Sequence, residues 1–460
     1  ITSSTTLIRY VNFLAAGNPS GSYSGTGGLN LTGSGTLLIM PAASGMLLLT
    51  VAKHSPINVL QNSHYGGVTL SPGLTPPTAS SPTSSYFDFY IGTPLPAPGD
   101  GNNYPLFLTT GHYFGGLYFT NFNGQAYGTT TNAQVNLCGD LVLDSRMSWV
   151  SGTLPLTFMT NPKLSTDQVV NGISVQSTIS TNGVAISCPV IFNDIGSASL
   201  SAGYNTWMLG TNLTIGLDQP VTLSSGNIYD NGFNFTMGSF TSQYVTPYYP
   251  RGIRWGGGKW SMTKIGLCWN TPPNNMTMSL DTNPTTRSKA TISLDSGLYA
   301  GSRSFTGGGA LGLPILNISP VGSGYSTTIT DGNTFYGLTS GVDQIGGGNT
   351  ILFAYGQSYY IGFLNLAGVA GQNLILKTTS NGGVVALTNY STTFGNPMNW
   401  SSDYISITDI QYNKFSSSVV SDWFLGPDSH ITTSNLYPSG TPDMHYGYPP
   451  SPQGTFLDVF

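Results

Sequence analysis

The sequence predicts an all-β protein: β-sandwich or jelly-roll-like domains joined by long Gly/Ser/Pro-rich loops, with very little helix. Three observations lead there. The 460-residue chain contains no glutamate, so all 18 of its acidic residues are aspartate, and charged residues make up only 7%. Glu is a strong helix former and Asp is not, which leaves long amphipathic helices without a polar face. Sixty Gly and 29 Pro cut the chain into short pieces, as many-stranded β proteins require. Between those breaks, apolar and polar residues alternate with the period of a half-buried strand.

The elements follow in chain order. Ile1–Ala15 begins polar and ends apolar, with β-branched residues, and predicts an extended strand. Gly17–Gly28 behind it reads as a flexible tether, so residues 1–28 form an arm able to pack on a neighbouring subunit through Leu7, Ile8, Val11 and Phe13. The apolar stretch Thr36–Ala52 is too short and too broken by Pro41 to cross a membrane; it predicts two strands of a buried hairpin. Further strands are expected at Tyr86–Ile91, Ala133–Leu143, Val169–Ile179, Val184–Phe192, Trp207–Leu217, Thr291–Leu298, Thr350–Tyr355, Tyr359–Leu366 and Val384–Leu387. The Pro/Ser/Gly-rich loops Ser71–Ser85 and Thr93–Pro105 suit contact arms of an assembling protein. No repeat of 20–50 residues stands out, so a solenoid or propeller is not expected.

The domain division falls at residues 246–261, where Pro, a Gly triplet and a shift in charge coincide: seven of the 13 basic residues lie between Arg251 and Arg303. This gives an N-terminal sandwich over 29–245 and a C-terminal one over 262–460. Around the junction, Tyr248, Tyr249, Arg251, Arg254, Trp255 and Trp260 interleave aromatics and cations, with Lys259 among them. Such residues suit a subunit contact; they also suit stacking on sugars or bases.

Net charge is −5, with neither a basic nor an acidic tail, which argues against binding nucleic acid. A surface so poor in charge favours association, so copies of the chain itself, together with other envelope or virion proteins, are the expected partners. The three cysteines, Cys138, Cys188 and Cys268, fit no metal pattern and lie in apolar runs, which favours buried thiols over one disulfide plus a free thiol. Ile1 in place of Met reads as the start of a mature, exported product. The location expected is extracellular, on a cell or virion surface.

Chemistry-bearing motifs are scarce. Pro-Asp-Ser-His at 427–430 recurs as Pro-Asp-Met-His at 442–445, so Asp428, His430, Asp443 and His445 are candidate metal ligands, although Pro-Asp is also an ordinary turn start. Asn227, Asp230, Asn231 and Asn234 come closest to a calcium loop, with Gly232 among them favouring a turn. There is no Gly-x-Ser-x-Gly elbow, no His-Glu-x-x-His and no phosphate-binding loop, and His54, His64 and His112 stand in no catalytic arrangement. A paired-carboxylate glycosidase would have to use two Asp. No enzyme and no cofactor is expected. Glycosylation sequons occur at Asn30, Asn212, Asn234, Asn275, Asn317, Asn389 and Asn399, about as many as chance yields in a chain rich in Asn, Ser and Thr.

In composition the chain resembles the Ser/Thr/Asn/Tyr/Gly-rich surface proteins of acidophilic or thermophilic archaea and their viruses. Leu29–Val51 resembles the opening strands of icosahedral jelly-roll coat proteins, but without the basic arm of those that package RNA. The function expected is therefore a non-enzymatic, self-assembling subunit of a surface layer, sheath or filament. The alternatives are a capsid or spike protein, or a secreted carbohydrate-binding or carbohydrate-cleaving protein.

Overall fold

A computed structural model describes most of residues 105–431 and, outside that span, only short strands. Strands take 61% of the described residues and helix none. The all-β expectation holds, but the sandwich and jelly-roll architecture does not. Those folds are built from antiparallel sheets, whereas here neighbouring strands run parallel in long sheets. Among the described strands, the antiparallel exception is the small hairpin pairing Gln168–Val170 with Ile173–Val175.

The chain divides into two compact units, one of residues 1–258 with 275–277, the other of 259–274 with 278–460. In the first unit the backbone winds through three parallel sheets in turn. Sheet A includes Leu117–Phe119, Leu141–Val142, Ser177–Ser180, Thr206–Leu209, Gly226–Tyr229 and Arg251–Trp255. Sheet B includes Pro105–Leu108, Gln125–Gly128 and Ser148–Trp149, which bridges through Ile186 to Ile215. Sheet C includes Val135–Leu137, Leu156–Met159, Val190–Asn193, Pro220–Leu223 and Ser239–Thr241. One strand from each makes a coil, and each coil pairs in parallel with the next. This is a parallel β-helix, or β-solenoid.

The interior follows from the register. In sheet C, Leu137, Phe158, Phe192 and Leu223 are successive Cα partners, all fully buried. In sheet A, Leu117, Leu141, Ile179 and Leu209 do the same. Stacking like on like brings Phe158 and Phe192 to 5.1 Å at an interplanar angle of 13°. Parallel sheets are usually covered on both faces by helices; here the coil encloses its own core, so the outer face is free to carry polar residues and the alternation survives.

The winding also explains why strands read as long are short. Ala133–Leu143 divides into Val135–Leu137 in sheet C and Leu141–Val142 in sheet A, with the corner at Gly139 packed on the backbone of Gly115 and Gly116. Trp207–Leu217 likewise turns a corner between Leu209 and Leu213. Alternation runs through these corners unbroken, and sequence alone does not show the bend. The expected hairpin at 36–52 is also corrected: Thr36–Ile39 pairs in parallel with Pro56–Leu60, and Leu48–Leu49 with Val68–Leu70 in another sheet. At the N-terminus, Thr5–Thr6 pairs with Thr36–Leu37 of the same chain, while Leu7, Ile8, Val11 and Phe13 lie outside the described residues. Of the 246–261 stretch, Arg251–Trp255 and Lys259–Met262 are strands.

The second unit is wound in the same way. Sheet D runs Lys259–Met262, Thr291–Asp295, Gly312–Ser319, Thr334–Ser340 and Ser358–Ala367. Sheet E runs Gly266–Thr271, Arg303–Gly307, Ser326–Thr330, Thr350–Phe353, Leu374–Thr378 and Ile405–Thr408. Trp269 stacks on Phe305 at 5.6 Å and 3°. Sheet D forks at the ten-residue strand Ser358–Ala367. Its first half, 358–361, continues into Val385–Asn389 and then Ile410–Lys414, and its last three residues continue into Trp400–Asp403 and then Trp423–Leu425. Trp400, Tyr412 and Trp423 fill the angle between the branches, with ring centroids 4.8–6.0 Å apart.

Candidate functional site

The aromatic and cationic segment near 250 is mostly interior. Arg251 is only 2% exposed, and its Nη1 donates to the Ser242 carbonyl at 2.7 Å and hydroxyl at 2.9 Å. Burial lowers its pKa from the usual Arg value. Trp255 and Trp260 are fully buried, so they present no surface to another copy. Arg254 sits 5.7 Å from the centroid of the Tyr229 ring, a cation–π contact within the first unit. Tyr248 and Tyr249 lie outside the described residues.

Asp428 and His430 are both exposed. The turn at Pro427-Asp428 precedes the strand His430–Ile431, so the two side chains do not share one extended segment. Asp443, and the side chain of His445 on Met444–Tyr446, lie outside the described residues. Among the described residues no group of three or more His, Cys, Asp or Glu could hold a metal ion. The calcium-like stretch is a coil corner. The Asp230 carboxylate is buried and accepts from the Gly232 amide at 2.9 Å and the Gly256 amide at 2.6 Å. Asn231 and Gly232 have φ of 50° and 82°, the left-handed region that Asn and Gly tolerate.

Of the sequons, Asn212, Asn234 and Asn275 are exposed. Asn389 is fully buried and donates through Nδ2 to the Tyr412 hydroxyl at 3.3 Å, so a glycan has no room there. The Nδ2 of Asn317 donates to the hydroxyls of Ser293 and Ser319. Asn30 and Asn399 lie outside the described residues. Cys138, Cys188 and Cys268 form no disulfide and are buried. Burial pushes the Cys268 thiol up to about 11, against the opposing pull of nearby Arg303.

The outer side of sheet D carries a surface that sequence reasoning missed. On Ser358–Ala367, Tyr359, Ile361, Leu364 and Leu366 are buried, while Tyr360, Phe363 and Asn365 lie on the other side. The Phe363 ring covers Gly337 on the adjacent strand; a Cβ there would meet three of its ring atoms. The ring therefore lies over the glycine, half-buried, with the Tyr336 ring packed against it at 5.7 Å and 87°. Tyr355 covers Gly383 in the same manner and is 57% exposed. Tyr360 packs edge-on to Tyr390 at 5.6 Å. Alongside runs a column of small polar side chains in register: Ser261, Ser293, Asn317, Thr339, Asn365 and Ser401. The Thr339 hydroxyl donates to Asn317 Oδ1 at 3.0 Å. The available signal was aromatic residues at the outward, normally polar, positions of one strand. It reads as a surface only once Gly337 and Gly383 are known to be neighbours in space.

No helix among the described residues is long and apolar enough to cross a membrane. Comparison with protein-family models, curated proteins and solved structures found no match to this chain.

Proposed function

We propose that the chain is a non-enzymatic structural subunit of an extracellular assembly: a surface layer, sheath or filament, or the capsid or spike of a virion. The observation that carries this reading is the use made of the buried polar side chains. Asp230 holds two backbone amides of a corner, Arg251 holds Ser242, and the Asp409 carboxylate accepts from the Gly382 amide at 3.1 Å. The Asp230 and Asp409 carboxylates each tie one coil to the next, and Arg251 ties its strand to the end of the strand before it in the winding. Such a stack is stiff, because its strands are hydrogen-bonded from coil to coil along the stack.

The low charge supports the same reading, since little electrostatic repulsion keeps copies apart. Partners are copies of the chain and, in a composite envelope, other envelope or virion proteins. Negative-stain electron microscopy of the purified protein between about pH 3 and 7 tests it. Filaments, sheets or closed shells are expected. A monodisperse monomer at all concentrations and pH values rejects the proposal.

A further inference from the structure

The fork in sheet D coincides with the aromatics on its outer side. The ladders leaving Ser358–Ala367 cover 358–361 on one branch and 365–367 on the other, so Gly362, Phe363 and Leu364 lie between them. Irregular points in a strand re-aim side chains and are common beside binding sites. Here Phe363 sits at the branch point, laid over Gly337, with Tyr360 and Tyr390 on one side and Asn365 on the other.

We infer that this outer surface binds a neutral oligosaccharide or polysaccharide chain. A pyranose ring has an apolar C–H face and a rim of hydroxyls. The first stacks on an aromatic face; the second needs uncharged donors and acceptors. Phe363 and Tyr360 supply the faces, roughly 10 Å apart at the rise of a strand, the scale of two linked sugar rings. Asn365 and Thr388, the latter the register partner of Tyr360, flank them with an amide and a hydroxyl, and the exposed Tyr355 stands on the turn that leads into the strand. Three neighbouring strands, Thr334–Ser340, Ser358–Ala367 and Val385–Asn389, contain no charged residue. That neutrality selects an uncharged glycan over an acidic one or a nucleic acid, both of which need cations. Gly337 and Gly383 matter because any Cβ there would lift the rings off the sheet.

Isothermal titration of the whole chain with cellohexaose, mannohexaose, laminarihexaose and maltohexaose tests the inference, with polygalacturonate as the acidic comparison. At least one neutral hexasaccharide is expected to bind, with an affinity insensitive to salt. Tyr360→Ala and Phe363→Ala are each expected to weaken it about tenfold, and Thr328→Ala on the outer side of sheet E to leave it unchanged. Should Phe363→Ala fail to fold, Tyr355→Ala serves in its place, since that ring is more than half exposed; it too is expected to weaken binding. The inference is overturned if none of the neutral sugars binds, if the aromatic substitutions leave affinity unchanged, or if only polygalacturonate binds.

Discussion

Asp230 shows how a single side chain holds a corner of the winding together. Its carboxylate accepts from two backbone amides, those of Gly232 in its own turn and Gly256 one coil on. Asp230→Ala leaves both donors, in a partly buried place, without that acceptor, a loss of about 2 kcal/mol. Asp230→Asn keeps an acceptor oxygen and is expected to cost about 1 kcal/mol. Urea unfolding of the two variants checks the difference; equal losses would mean that negative charge, not the acceptor, is what matters. Asp144 is a surface counterpart. The guanidinium of Arg146, 2.8 Å away, holds its carboxyl down at about 2. A carboxyl lowered on folding adds stability that is fully present above its unfolded value near 3.8 and is lost as pH falls through about 2. The melting temperature should therefore be nearly flat from about pH 4 to 7 and decline below that, and Asp144→Asn should shrink the decline. A steep transition near pH 5 would point to other aspartates. The three thiols are buried, and burial raises the pKa of Cys138 and Cys268. Iodoacetamide at about pH 8 should label none of the three in the native chain and all of them in urea; rapid native labelling would show a thiol within reach of solvent.

The strands show where sequence reading succeeds and where it stops. Strand identity was legible because alternation and β-branched residues mark any half-buried strand. So was the turn at Asn231-Gly232, because those residue types tolerate positive φ. The pairing direction was not legible, since the same alternation serves an antiparallel sandwich and a coil closed around its own core. Nor was the repeat: parallel partners lie 21 residues apart at Trp207 and Ile228 but 38 apart at Leu141 and Ile179, because loops of unequal length leave the corners. Columns such as Leu137, Phe158, Phe192 and Leu223 therefore carry no fixed period. The outer aromatics of sheet D were hidden for the same reason, since Phe363 and Gly337 meet only through the register. In such a stack each coil leans on its neighbours. Phe192→Ala removes the middle of a stacked column and should cost about 3–5 kcal/mol. Hydrogen exchange should quicken most in Leu156–Met159, Val190–Asn193 and Pro220–Leu223. Uniform quickening throughout the first unit would show that its coils unfold as one.

For the whole molecule, the fork in sheet D sets a limit on how the chain could have grown. Elsewhere among the described strands of a unit, one more turn of backbone could be spliced in and find a parallel hydrogen-bonding edge above and below, as a spring accepts another loop of wire. At Ser358–Ala367 the edge below is one strand and the edge above is two. A copied turn inserted there would match one side and not the other. A slip of register would have to shift both branches together and drag Trp400 and Trp423 out of the wedge they fill. The branch point acts as a fixed landmark in an otherwise interchangeable series, like a dislocation that pins layers in a crystal. Length variation among descendants of this chain is expected to gather on either side of it, in whole turns, and to leave the forked strand at ten residues.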